Sequence, residues 1–97
     1  MIDPIRAFAV VERCIRKTAG LNPPSAFTFT IQTSLLRLGI DDGGLIEILK
    51  GNIAENPEIG LPSLVPPFKI DEELLNFDET STFGDVVFIV HGNAVLA

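Results

Sequence analysis

Histidine and cysteine occur once each in the 97 residues, as His91 and Cys14. A single cysteine forms no internal disulfide, and an isolated histidine supplies neither a catalytic triad nor a zinc site. Cys14 falls among Ile5, Phe8, Val11 and Ile15 on a helical pattern, which predicts a buried structural thiol. No apolar run approaches the roughly 20 residues of a membrane span. The N-terminus carries Asp3 and Glu12 among its apolar residues and lacks the basic start and uninterrupted apolar region of a signal peptide. A cytoplasmic protein without a membrane span is expected. Repeats and low-complexity tracts are absent, and the acids Asp71, Glu72, Glu73, Asp78 and Glu79 lack the spacing and central glycine of a calcium loop. A solvated acidic face is the simpler reading.

What is present fits one small globular domain over residues 1–97. The hydrophobic share of 46% and the charged share of 21% are near globular averages. At this length roughly two-thirds of the unfolded surface can be buried, so folding requires no metal or disulfide. The net charge of −6 is unevenly placed. Residues 1–40 hold Arg6, Arg13, Arg16, Lys17 and Arg37 against Asp3 and Glu12, giving +3; residues 41–97 hold eleven acids against Lys50 and Lys69, giving −9. Such a surface disfavours nucleic acid and anionic membranes and favours a basic protein partner.

Asp3-Pro4 reads as an N-cap followed by proline at the first helical position. Ile5, Phe8, Val11 and Ile15 then recur at helical spacing until Gly20, predicting a helix from Pro4 to Ala19. Asn22-Pro23-Pro24-Ser25 breaks the chain, and residues 27–31, which alternate Phe27, Phe29 and Ile31 with threonine, read as an extended loop pinned across the core. Asp41 or Asp42 is placed to cap a second helix with an apolar face of Leu45, Ile48, Leu49 and Ile53, with Glu47 and Lys50 towards solvent. Gly43 and Gly44 weaken its first turn, and Asn56-Pro57 ends it. Ile70, Leu74 and Phe77 predict a short third helix. Thr82 with Asp85 resembles a capping box and predicts a last, short buried helix through Val86–Val90. The aromatics Phe8, Phe29, Phe77 and Phe88 read as core filling.

Three stretches in order carry a family resemblance. Thr33-Ser34-Leu35 followed by Leu38-Gly39-Ile40-Asp41 and Glu47-Ile48 is similar to the segment around the attachment serine of acyl carrier proteins. Ile59-Gly60-Leu61-Pro62 and Ser81-Thr82-Phe83-Gly84-Asp85-Val86-Val87 resemble the family's stretch after its second helix and the start of its last helix. The resemblance implies an all-α fold, an acyl-carrier-protein-like bundle of three main helices plus a short third helix, with a long first loop. Some ten extra residues between Pro62 and Thr82 imply an enlarged loop before the last helix, with Pro66-Pro67-Phe68 inside it.

The chemistry departs from the family. Its serine carries 4′-phosphopantetheine through a phosphodiester; here Asp42 stands at that position, has no hydroxyl, and is not expected to be modified. Gly43 and Gly44 replace the leucine and acid that follow the family serine. The resemblance therefore implies a non-catalytic module that docks to a basic surface on a synthase, acyltransferase or related enzyme of acyl transfer, such as fatty acid or polyketide synthesis. Asp41, Asp42 and Glu47 are the docking candidates, because the family's partners meet its second helix and preceding loop. The bland alternative for Asp42 is simple helix capping, which is compatible with docking. A second reading is a working acyl or peptidyl carrier with 4′-phosphopantetheine on a displaced serine, Ser34, Ser63 or Ser81. A third is a small metal- or ligand-binding domain using Asp41, Asp42 and Glu47, although adjacent acids rarely converge on one ion without further ligands. Neither a catalytic nor a metal-ligating set is assigned.

Overall fold

The computed structural model describes the backbone of residues 3–20, 30–55 and 68–96, and it is mostly helical. Three α-helices appear among these residues: α1 (Pro4–Ala19), α2 (Gly43–Glu55) and α3 (Phe83–Asn93). Single 3-10 turns lie at Leu36–Leu38 and Glu72–Leu74, and β1 (Phe68–Lys69) pairs antiparallel with β2 (Val95–Leu96). The expectations for Phe27, Phe29, Asn56-Pro57, Ile59–Pro62, Ser63 and Pro66-Pro67 fall outside the described residues.

Helix α1 has the predicted bounds because both ends are specified locally. Asp3 Oδ1 accepts the Ile5 N–H at 2.7 Å, Pro4 opens the helix, and Gly20 closes it at φ 75° by donating to the Arg16 carbonyl. Its buried stripe is Ala7, Val10, Val11, Cys14 and Ile15, with Phe8 half-buried. Ile5, expected on that stripe, is 80% exposed. At 3.6 residues per turn it points roughly 150° from the stripe's centre.

The apolar face of α2 is likewise rotated from the one expected. Ile46, Leu49 and Ile53 are buried and Leu45 is half-buried, whereas Ile48 is 54% exposed. Spacing from Leu45 alone favoured Ile48, but Ile46, Leu49 and Ile53 define a centre roughly 130° from it. Lys50 is not on the open side either. Its Nζ lies 5.5 Å from the centre of the Phe77 ring, so its stem covers core while the charge meets the ring face.

The predicted third helix is one 3-10 turn. Asp71 Oδ1 takes the Glu73 N–H, Leu74 and Leu75 donate to the Asp71 and Glu72 carbonyls, and Leu75 then leaves helical geometry with ψ 74°. Ile70, Leu75 and Phe77 are buried and Leu74 is not, so the inward positions after the turn follow an extended period of two. Phe68, expected inside an unstructured insertion, is in the ladder with Leu96.

Helix α3 starts as predicted. Thr82 Oγ1 accepts the Asp85 N–H and Asp85 Oδ2 accepts the Thr82 N–H, each at 3.1 Å. It continues past Gly92 to Asn93, with Ala94 as the capping residue. Helix α1 packs against both α2 and α3, and Phe8 meets buried Phe83 edge to face at 4.8 Å between ring centres. Phe77 fills core as expected; Phe88 does not, being 74% exposed.

Candidate functional site

The segment before α2 is held by a distant part of the chain. Leu35 N–H donates to the Ser81 carbonyl at 2.9 Å and Leu36 N–H to that of Glu79 at 3.1 Å. In return, Phe83 and Gly84, at the start of α3, donate to the carbonyls of Thr33 and Ile31 at 2.8 and 3.0 Å. The first N–H groups of a helix have no intrahelical partner, so residues 31–33 complete the start of α3 while residues 79–81 fix the approach to α2. The turn at residues 78–81 is itself braced: the hydroxyl and amide of Thr80 donate to Asp78 and hold its carboxyl below the usual range, with Ser81 contributing less.

From this clamp the chain turns at Gly39, φ 93°, and Ile40 N–H returns to the Leu35 carbonyl at 2.9 Å. Leu35, Leu38 and Ile40 are buried, which leaves Asp41 and Asp42 exposed beyond them. Asp42 resolves the choice of cap: its Oδ1 accepts the Leu45 N–H at 2.8 Å and its carbonyl accepts the Ile46 N–H at 3.0 Å. One carboxylate oxygen of Asp42 thus serves α2.

Glu47 lies one turn further along α2, with its carboxylate open to solvent and one oxygen 3.8 Å from Lys50 Nζ. The structure therefore places Asp41, Asp42 and Glu47 at one end of α2, all exposed, with one cation of the same helix beside the last. Among the described residues, no group of three or more His, Cys, Asp or Glu side chains is placed to hold a metal ion. Two apolar side chains are also exposed here: Ile48 beside Glu47, which spacing had assigned to the buried face, and Leu36 in the clamped segment, which it had not singled out.

Of the serines considered as displaced attachment points, Ser34 and Ser81 have local structural roles. Ser34 is half-buried in an isolated bridge to Thr82, with its Oγ accepting the Arg37 N–H at 3.4 Å; Ser81 Oγ accepts the Asp78 N–H at 3.1 Å. His91 is half-buried on α3, whereas Glu47 is on α2 and Asp41 and Asp42 immediately precede it. Among the described residues no helix is long and apolar enough to cross a membrane. No protein-family model, curated protein or solved structure matches the chain.

Proposed function

We propose that the chain is an acyl-carrier-protein-like docking module that has lost the covalent arm. The resemblance supplies the carrier reading, and the geometry at Asp42 supports it best. The side chain at the position of the family serine stands exposed at the start of α2, on a segment clamped by hydrogen bonds to the start of α3. A carboxylate there puts negative charge near the place of the family's phosphodiester, with one charge and fewer acceptor oxygens. Asp41 and Glu47 widen the acidic surface, and Ile48 adds an apolar contact that a basic patch on a synthase or acyltransferase would cover.

The test is a pull-down from the native cell with wild type, Asp42→Ser, Asp42→Ala and Glu47→Lys as baits. The expected result is a synthase or acyltransferase held by wild type, held less by Asp42→Ser and Asp42→Ala, which lack the carboxylate, and released by Glu47→Lys. A bait that enriches no such enzyme, or one that binds it equally after Glu47→Lys, overturns docking through α2. Co-expression with a broad phosphopantetheinyl transferase separates the carrier readings. The intact mass of wild type is expected to stay unchanged, and a gain of one arm would assign a displaced serine instead.

A further inference from the structure

Helices α2 and α3 begin 40 positions apart in sequence, at Gly43 and Phe83, yet a chain of hydrogen bonds joins the cap of one to the cap of the other. At α3, Thr82 and Asp85 close the capping box, and the two N–H groups between them, of Phe83 and Gly84, donate to the Thr33 and Ile31 carbonyls. Leu35 and Leu36 donate back to the Ser81 and Glu79 carbonyls, around the bridge between Ser34 and Thr82. The Leu35 carbonyl then accepts the Leu38 N–H at 3.0 Å and the Ile40 N–H at 2.9 Å, which fixes the turn at Gly39. Only Asp41 separates Ile40 from Asp42, the cap of α2.

The two strands of this clamp have little room to slide. A Cβ on Gly84 would lie 2.7 Å from the Ile31 carbonyl oxygen, and Leu35 from one strand and Phe83 from the other are fully buried. Each strand gives the other two donors and two acceptors, so separating them breaks four hydrogen bonds together. Helix α1 is organised differently. Its 16 residues are capped at both ends by their own sequence neighbours, Asp3 and Gly20.

We propose that residues 31–42 and 79–85 form one cooperative unit, which opens and closes as a whole and makes the caps of α2 and α3 support each other. Coupling of this kind acts equally in both directions, so a change that weakens either cap is felt at both helix starts. Because α1 holds its own ends, the unit opens at a lower free energy than the whole molecule. On the docking reading, a partner that grips Asp42 tightens the start of α3 as well. The unit itself does not rest on that reading, and the free chain tests it.

The test is amide hydrogen exchange of the full free chain, read residue by residue by NMR. Leu35, Leu36, Ile40, Leu45, Phe83 and Gly84 should share one protection factor, lower than that of Val11 and Ile15 inside α1. Asp42→Ala should lower protection of Phe83 and Gly84 about five-fold, the population change that follows loss of one cap. Thr82→Ala should do the same at Leu45, whose N–H is bonded to Asp42. Unequal protection at the two helix starts, with each variant felt only in its own helix, would show two independent caps and overturn the proposal. A common protection factor equal to that of Val11 and Ile15 overturns it as well, because these amides then exchange only when the whole chain unfolds. The wild-type pattern decides between these outcomes even where a variant folds poorly.

Discussion

Two glycines inside helices, Gly51 and Gly84, have opposite surroundings. A Cβ on Gly51 would meet nothing within 4 Å, whereas one on Gly84 would lie 2.7 Å from the Ile31 carbonyl oxygen and 2.8 Å from Ile31 Cβ. Alanine is preferred over glycine in a helix interior by about 0.5–1 kcal/mol, so Gly51→Ala should stabilise the protein by about that amount. Gly84→Ala gains the same preference but must displace the backbone that completes the start of α3. We expect a net loss of about 1–3 kcal/mol, the usual scale for overpacking. Urea midpoints of the two variants should move in opposite directions; a stabilised Gly84→Ala would mean that Ile31 yields freely. The sequence marked Gly84 only as part of a motif. Its physical role depends on Ile31, 53 positions away in sequence, and no local rule brings the two together.

Among the elements, α2 has the weakest local support at its start. Gly43 and Gly44 open it, no acid lies in its first turn, and the Asp42 carboxylate caps it through Leu45. Removing an N-cap costs about 1 kcal/mol, whereas serine caps about as well as aspartate. Asp42→Ala should therefore lower stability by about 1 kcal/mol and Asp42→Ser by a few tenths at most, as read from chemical unfolding. Equal losses for both would show that the charge at Asp42, rather than the capping bond, supports α2. These values also set the baseline for the binding experiment, since a bait that binds less because its first turn has frayed should do so for alanine and not for serine. Helix bounds were legible wherever caps are local, as with Asp3, Gly20, Thr82 and Asp85. Which face of a helix is buried was less so: Ile5 and Ile48 fit a helical spacing but lie outside the stripes set by their neighbours. The stretch at residues 70–77 misled because Asp71 satisfies its orphan N–H with a single turn, and burial then follows Leu75 and Phe77 instead of Leu74.

Across the whole molecule, the helical character was legible from periodicity, but the clamp between residues 31–36 and 79–84 and the ladder between β1 and β2 were not. Both join segments far apart in sequence through backbone groups, which every residue carries and no side-chain pattern announces. The same helix packing encloses Cys14, whose thiol is fully buried and is pushed up to about 12 from 9.0 by that burial, with Lys17 pulling weakly the other way. Below pH 9 the thiol is protonated whether the chain is folded or unfolded, and this contribution to stability is complete. As pH rises from about 9 to about 12, the unfolded chain releases the proton and the folded chain retains it, so stability falls by up to about 1.4 kcal/mol per pH unit. Urea unfolding of wild type and Cys14→Ala at about pH 8 and about pH 10.5 isolates this effect, because every other side chain is common to the two proteins. Wild type should lose more stability than Cys14→Ala over that interval, even if the alanine variant starts lower because of the cavity it leaves. Parallel losses would show that the core admits water to the thiolate. Below pH 9, labelling of Cys14 by a thiol reagent should be limited by opening of the bundle, so its rate should track unfolding free energy across the glycine and Asp42 variants.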